Sequence, residues 1–137
     1  METNVYRRLS TFQGQYIPKF YGRYRYSAAS DKDATAILLE KIPGYSLNNF
    51  HRLPESELLE ILKIGNTALD AIHSKGIYHY DIQESNLFWG QDKTLRIIDW
   101  EFSRLDPPAE VARHWAASDR AELRRILTYV GRRRLGN

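Results

Sequence analysis

The sequence predicts an α+β fold, and three observations carry that prediction. A tyrosine-rich stretch alternates as one arm of an antiparallel hairpin, a long amphipathic helix follows it, and a second, short hairpin ends in a carboxylate. In chain order, residues Asn4 to Phe12 place Val5, Leu9 and Phe12 at helical spacing. From Ile17 to Ser27, Phe20, Gly22, Tyr24 and Tyr26 share one strand face and Tyr21, Arg23 and Arg25 the other. Tyr16, Tyr21, Tyr24 and Tyr26 read as a packed strand in preference to a platform for stacking bases. A polar turn, Ala28 to Asp33, leads to a second strand from Thr35 to Glu40, which Ile42-Pro43-Gly44 stops. A two-stranded hairpin is marginal alone in water, so this one needs a partner surface.

The longest element comes next. Pro54 suits a first helical position, Glu55 and Glu57 favour the positive end of the helix dipole, and Lys75-Gly76 form a C-terminal stop. Leu58, Leu59, Leu62, Leu69 and Ile72 make an apolar stripe between them, the mark of a core helix. Two short strands, Asn86 to Trp89 and Thr94 to Ile98, then flank the polar turn Gly90-Gln91-Asp92-Lys93. Beyond Asp106-Pro107-Pro108 the pattern is helical again. Asp119 with Glu122 three residues on predicts an N-cap box opening a helix that runs through Val130, with Gly131 past its end.

Composition narrows the class. The 137 residues suit one domain with a real core, and 42% hydrophobic content argues against disorder. With no cysteine, disulfides and cysteine-based zinc sites are excluded. His51, His73, His79 and His114 show no paired spacing for a histidine zinc site. The first residues lack a signal-peptide core and no window is apolar enough for a membrane span, so a cytosolic or nuclear location is expected. Net charge is +3, with Arg120, Arg124, Arg125, Arg132, Arg133 and Arg134 grouped late. A solvated helix face explains them better than a nucleic-acid site, because no RNA-binding aromatic motif or zinc finger accompanies them.

The candidate chemistry lies in HYDIQESNLFWGQDKTLRIIDWE, His79 to Glu101. Leu95-Arg96-Ile97-Ile98 delivers the carboxylate of Asp99 to the edge of the core, where it requires a cation, a donor set or a metal. Asn86 opens the neighbouring strand, so the hairpin can bring its side-chain oxygen beside Asp99. An Asp with an Asn is a hard-oxygen pair suited to Mg²⁺ carrying phosphates. Asp81, five residues before Asn86 in a loop, is placed to orient or deprotonate an attacking hydroxyl. His79 reads as a satisfied structural histidine that braces the loop, Trp89 and Trp100 as core, and Glu101 as solvated.

These residues resemble the protein-kinase-like superfamily. His79-x-Asp81-x-x-x-x-Asn86 is similar to its catalytic loop, and Asp99-Trp100-Glu101 sits where the family has a metal-binding Asp-Phe-Gly. The spacing from Asp81 to Asp99, 99 − 81 = 18 residues, matches the family's interval. Upstream, ATAILLEKIPG (Ala34 to Gly44) is similar to the fifth strand and hinge, which implies that the backbone of Glu40 and Ile42 meets the adenine edge, with Leu39 as gatekeeper. Glu2 matches the acidic position of the N-lobe helix. The style is that of the small kinase-like proteins of fungi, and the resemblance covers residues 1 to 105. It implies one kinase-like domain over residues 1–137: an N-lobe remnant and hinge over 1–42, and a minimal, mainly helical C-lobe over 43–137.

By resemblance, ATP and Mg²⁺ are the cofactors, Asn86 and Asp99 the metal-facing and nucleotide-binding side chains, and Asp81, Asn86 and Asp99 the catalytic set. The partners implied are a nucleotide and a hydroxyl acceptor, on protein or small molecule; composition adds no membrane, and disfavours nucleic acid. Several positions depart from the pattern. No Gly-rich loop or strand lysine precedes Glu2, and only Lys19 and Lys32 stand near. Gln83 and Glu84 replace the usual lysine and proline, Glu101 replaces the glycine, and no Ala-Pro-Glu segment follows. The expectation is therefore a phosphotransferase-type domain, N-terminally truncated and weak or inactive as this chain. Its alternative is a noncatalytic, pseudokinase-like remnant or binding module.

Overall fold

A computed structural model describes residues 2–28, 31–50 and 53–135, with backbone alone for 26–28, 31–34 and 133–135. His51 lies outside the described residues, and Lys32 is among those described by backbone alone. Helix α1 (Glu2–Arg8) leads through a single turn at Ser10–Phe12 into the antiparallel hairpin β1 (Phe20–Ala28) and β2 (Asp31–Leu39). The register pairs Phe20 with Leu39 and Tyr24 with Ala36. Strand β3 (Tyr45–Ser46) follows the hinge, then helix α2 (Glu55–His73), strand β4 (Ile77–Tyr78), the hairpin β5 (Leu87–Trp89) and β6 (Leu95–Ile97), strand β7 (Arg104–Leu105) and helix α3 (Ala109–Leu135).

One core holds these parts together. Ile61, Leu69 and Ile72 of α2 face Leu123, Ile126 and Leu127 of α3, and Leu87, Leu95, Ile97 and Trp100 fill the space beneath the β5–β6 hairpin. Val5, Tyr6 and Leu9 of α1 belong to the same cluster. This is the partner surface that the β1–β2 hairpin requires, but it covers only the hairpin's root: the Phe20 ring stacks on Tyr6 with centroids 5.3 Å apart. A short segment ties the two halves further, since the Ile97 N–H donates to the carbonyl of Tyr16 at 2.8 Å.

The α2 boundaries follow the sequence. Glu55 and Glu57 occupy the first turn, and Gly76, at φ +77°, accepts the left-handed conformation that ends the helix. Gly44 is a second obligatory glycine. At φ +95°, a β-carbon there would lie 2.1 Å from the Trp89 carbonyl oxygen, so the hinge backbone can reach β5 only without one. No helix among the described residues is long and apolar enough to cross a membrane.

Three local readings need correction. Asp119 opens no helix. It lies ten residues inside α3, whose first turn forms directly after Pro107-Pro108, with the Ala112 N–H bonded to the Pro108 carbonyl. Gly131 ends no helix either; a β-carbon there would meet Leu58 Cδ1 at 3.3 Å, so its smallness serves the α2–α3 crossing. Tyr21 and Tyr24 of β1 are not packed, being 60% and 50% exposed. A two-stranded ribbon has two faces, and among the described residues the core half-covers the one that carries Ile37 and Leu39. The strands β3, β4 and β7 escaped prediction because two residues are too few to show alternation.

Candidate active site

The loop from Tyr78 to Asn86 is short and irregular, and hydrogen bonds hold it at His79, Tyr80, Asp81 and Asn86. His79 is fully buried. Its Nε2–H donates to the Ile98 carbonyl at 2.8 Å, and its Nδ1 accepts the Asp81 N–H at 3.1 Å. A carbonyl can only accept and an N–H only donate, so these two partners fix a neutral Nε2–H tautomer. Burial lowers the His79 pKa below its ordinary value, against the smaller opposing pull of the Ile98 carbonyl and of Asp119, Asp81 and Asp99. The ring also meets Trp100 edge-on, with centroids 4.6 Å apart. His79 thus joins the Asp81 loop to the Asp99 segment as a brace.

Asn86 completes the connection. Its Nδ2 donates to the Asp81 carbonyl at 3.0 Å, and its own carbonyl accepts the Ile98 N–H at 2.9 Å. Because its amide nitrogen is engaged, the side-chain oxygen is the group left for a ligand. Asp81 accepts from Gln83 Nε2 on Oδ1 at 2.6 Å, and no hydrogen bond occupies Oδ2 among the described residues. Asp99 is half-buried with φ +61°, a left-handed conformation uncommon for an aspartate and characteristic of constrained sites. No cationic side chain is bonded to its carboxylate among the described residues. Asp81, Asn86 and Asp99 are therefore gathered into one knot through backbone and imidazole bonds. Glu101 is exposed and Trp89 buried, as the sequence suggests.

Beneath the knot lies a residue whose role the sequence did not reveal. The buried Asp119 carboxylate of α3 accepts the His79 N–H at 3.0 Å on Oδ2 and the Tyr80 N–H at 3.1 Å on Oδ1, and His73 Nε2 lies 2.9 Å from Oδ2. The Tyr80 backbone at φ +66° is held by this grip. A carboxylate on a mostly polar helix carries no signal of such a target, since its partners lie about 40 residues upstream.

The hinge is also clasped. Arg96 on β6, nearly buried, donates from Nε to Glu40 Oε1 at 2.9 Å and from a terminal nitrogen to the Gly14 carbonyl at 2.9 Å. Glu40 Oε1 accepts the Lys19 N–H as well, at 3.0 Å, and the Glu40 N–H donates to the Lys19 carbonyl at 2.9 Å. Glu40 is thereby held by side chain and N–H, while its carbonyl and the Ile42 N–H carry no backbone partner among the described residues. An arginine inside the run Leu95–Ile98 was the available signal, because a buried guanidinium demands a carboxylate.

On the helix side, Glu2 Oε2 accepts the Trp100 N–H at 2.9 Å, so α1 docks directly against the residue after Asp99. Lys19 is exposed. Beside Asp81 opens a cleft of about 790 Å³, lined by Asn48, Tyr80, Gln83, Ser118 and Glu122 among others. No group of three or more His, Asp or Glu converges on a metal position among the described residues. A two-ligand site for magnesium is compatible with that, since Mg²⁺ keeps several waters and takes the rest of its oxygens from phosphates.

Comparison with known proteins agrees with this geometry. The profile of the protein kinase domain matches residues 1–118. Similar proteins include the serine/threonine-protein kinase kin-29 of Caenorhabditis briggsae, 33% identical over 51 residues, which are 37% of this chain and 6% of that protein. The probable serine/threonine-protein kinase fnkB of Dictyostelium discoideum is 31% identical over 83 residues, 57% of this chain and 16% of its own. The dual specificity protein kinase zakA of the same organism is 27% identical over 110 residues, 76% of this chain and 13% of its own. The chain thus spans at most 16% of the length of these three relatives. Among solved structures, the Cydia pomonella granulovirus kinase PK-1 superposes with a TM-score of 0.61 at 21% identity, over 76% of this chain and 38% of that one, a likeness of fold. With its α+β architecture, its loop-and-hairpin knot and a profile match over most of its length, the chain belongs to the protein kinase domain family.

Proposed function

We propose that the chain carries the catalytic side of an ATP- and Mg²⁺-dependent phosphotransferase site that acts on a hydroxyl acceptor, weakly or not at all as this chain. The observation that supports it is the knot joining Asp81, Asn86 and Asp99. In this reading Asp81 receives or orients the acceptor hydroxyl with Oδ2, the oxygen that Gln83 leaves open, and the adjoining cleft gives the acceptor room. The Asn86 side-chain oxygen and the Asp99 carboxylate would hold magnesium. When bound, magnesium supplies charge neutralisation on the nucleotide phosphates. The Glu40 carbonyl and Ile42 N–H offer an acceptor and a donor to an adenine edge.

A noncatalytic, kinase-like binding module is the second reading, and one observation favours it. The Glu2 carboxylate, at the acidic position of the N-lobe helix, accepts the Trp100 N–H on Oε2 and is paired with no lysine among the described residues. With few protein donors for phosphate, ATP should bind with a dissociation constant of roughly 0.1–1 mM. The test is a melting series on the native chain and on Asp99→Asn, with and without millimolar Mg²⁺-ATP. The phosphotransferase reading expects a magnesium-dependent upward shift in the native chain that Asp99→Asn loses. It also expects Asp99→Asn to melt no lower than the native chain without ligand, because an unpaired carboxylate has been neutralised. A series in which neither the native chain nor Asp99→Asn shifts would leave the binding-module reading.

A further inference from the structure

Tyr6 presents a contradiction. Its ring is part of the core, stacked on Phe20, and the residue is 0% exposed, yet its hydroxyl is buried without any hydrogen-bond partner among the described residues. Phenylalanine would fill the same space with no polar atom to desolvate, so the hydroxyl lowers the stability of the chain. A buried polar group left unsatisfied calls for an explanation in function or in a missing ligand. Its surroundings supply one. Tyr6 lies one helical turn after Glu2, and Glu2 is bonded to the Trp100 N–H, the residue next to Asp99. The hydroxyl is consequently placed on the side of α1 that meets the Asp99 segment, within reach of the charges of Glu2 and Asp99. Burial first, then the charges of Glu2 and Asp99, push its ionisation above the ordinary range, so it stays a donor at any working pH. The two carboxylates differ in how they are held. Glu2 already accepts a backbone N–H, whereas no donor is bonded to Asp99 among the described residues.

We propose that Tyr6 is a positioning residue of the metal-facing site, its hydroxyl donating to the Asp99 carboxylate when that carboxylate turns to take a cation. The donor fixes one carboxylate oxygen and leaves the other to the metal, as outer hydrogen bonds orient metal-binding carboxylates generally. The chain would in this way retain, at the cost of stability without ligand, a donor that matters only in the loaded state. This inference rests on the phosphotransferase reading of the same site.

The experiment uses the whole chain with Mn²⁺-ATP as probe, its binding followed by water-proton relaxation enhancement, alongside melting without ligand. Tyr6→Phe should melt at the same or a higher temperature than the native chain while binding Mn²⁺-ATP 3- to 10-fold more weakly. In the Asp99→Asn background, adding Tyr6→Phe should change Mn²⁺-ATP binding less than twofold, since the hydroxyl acts through the carboxylate. Equal Mn²⁺-ATP affinity in native and Tyr6→Phe chains overturns the inference and leaves the phosphotransferase reading standing. A lower melting temperature for Tyr6→Phe with unchanged affinity assigns the hydroxyl to the docking of α1 through Glu2, and also overturns it. If the native chain itself binds no Mn²⁺-ATP, the phosphotransferase reading fails first, and the role of Tyr6 fails with it.

Discussion

The loop from Tyr78 to Asn86 and the hairpin β1–β2 are built on opposite plans. The loop has little regular structure of its own and is held from outside: the Asp119 carboxylate grips two of its N–H groups, and His79 and Asn86 tie it to the strand that carries Asp99. The hairpin pairs two nine-residue strands with each other and leaves the outer edge of each to other partners, and Tyr21, Tyr24 and Leu38 are each about half exposed or more. Among the described residues it is fastened to the rest of the chain near its root, by Phe20 stacking on Tyr6, by the half-buried Ile37 and Leu39, and by the Arg96 clasp on Glu40. The difference shows that rigidity at a site need not follow regular secondary structure. A few buried polar groups bonded across the chain can order an irregular loop, while a two-stranded ribbon that buries little contributes less to stability.

The sharpest way to break that comparison is Asp119→Ala. Two buried N–H groups and His73 lose their acceptor at once, and a stability loss of about 2–5 kcal/mol is expected by urea denaturation. A loss under about 1 kcal/mol would show that the loop is ordered by its own geometry. A middle-sized effect is set by pH. His79 is held neutral in the folded chain by burial, while in the unfolded chain it takes a proton below about pH 6.5. The unfolded state then binds more protons, so the His79 contribution is present in full above that pH. It is lost as pH falls, at up to about 1.4 kcal/mol per pH unit, until the lowered folded pKa is reached. Stability measured from pH 7 to 5 should fall less steeply in His79→Gln than in the native chain; parallel slopes would contradict the neutral assignment. The smallest effect belongs to the hairpin: Tyr24→Thr, which keeps strand propensity on an exposed position, should change stability by no more than about 0.5 kcal/mol. A larger loss would mean that Tyr24 is covered in solution.

Much of the site was legible because its signals are local. The spacing from His79 to Asn86, the aliphatic run into Asp99, the dipole-matched start of α2 and the Gly76 stop each lie within one short window, where residue type and backbone preference act together. The structural role of His79 was readable for the same reason, since its partners Asp81 and Ile98 belong to the same motif. Asp119 was misread because an Asp three residues before a Glu looks like a cap whether or not its carboxylate turns elsewhere. Only the packing of α3 beneath the loop decides that it serves His79 and Tyr80.

By itself, then, the order of residues determined the chemistry on offer and the elements that carry it: the kinase-like loop, the core helix, and the two hairpins with their turns. Tertiary structure decided where the charges went. It set Arg96 on Glu40 across the hinge, Asp119 under the loop, Glu2 against the Trp100 N–H, and the Tyr6 ring in the core against Phe20. The physical reason is that hydrogen bonding and charge pairing across long sequence separations depend on which surfaces meet. Packing, not local periodicity, settles that.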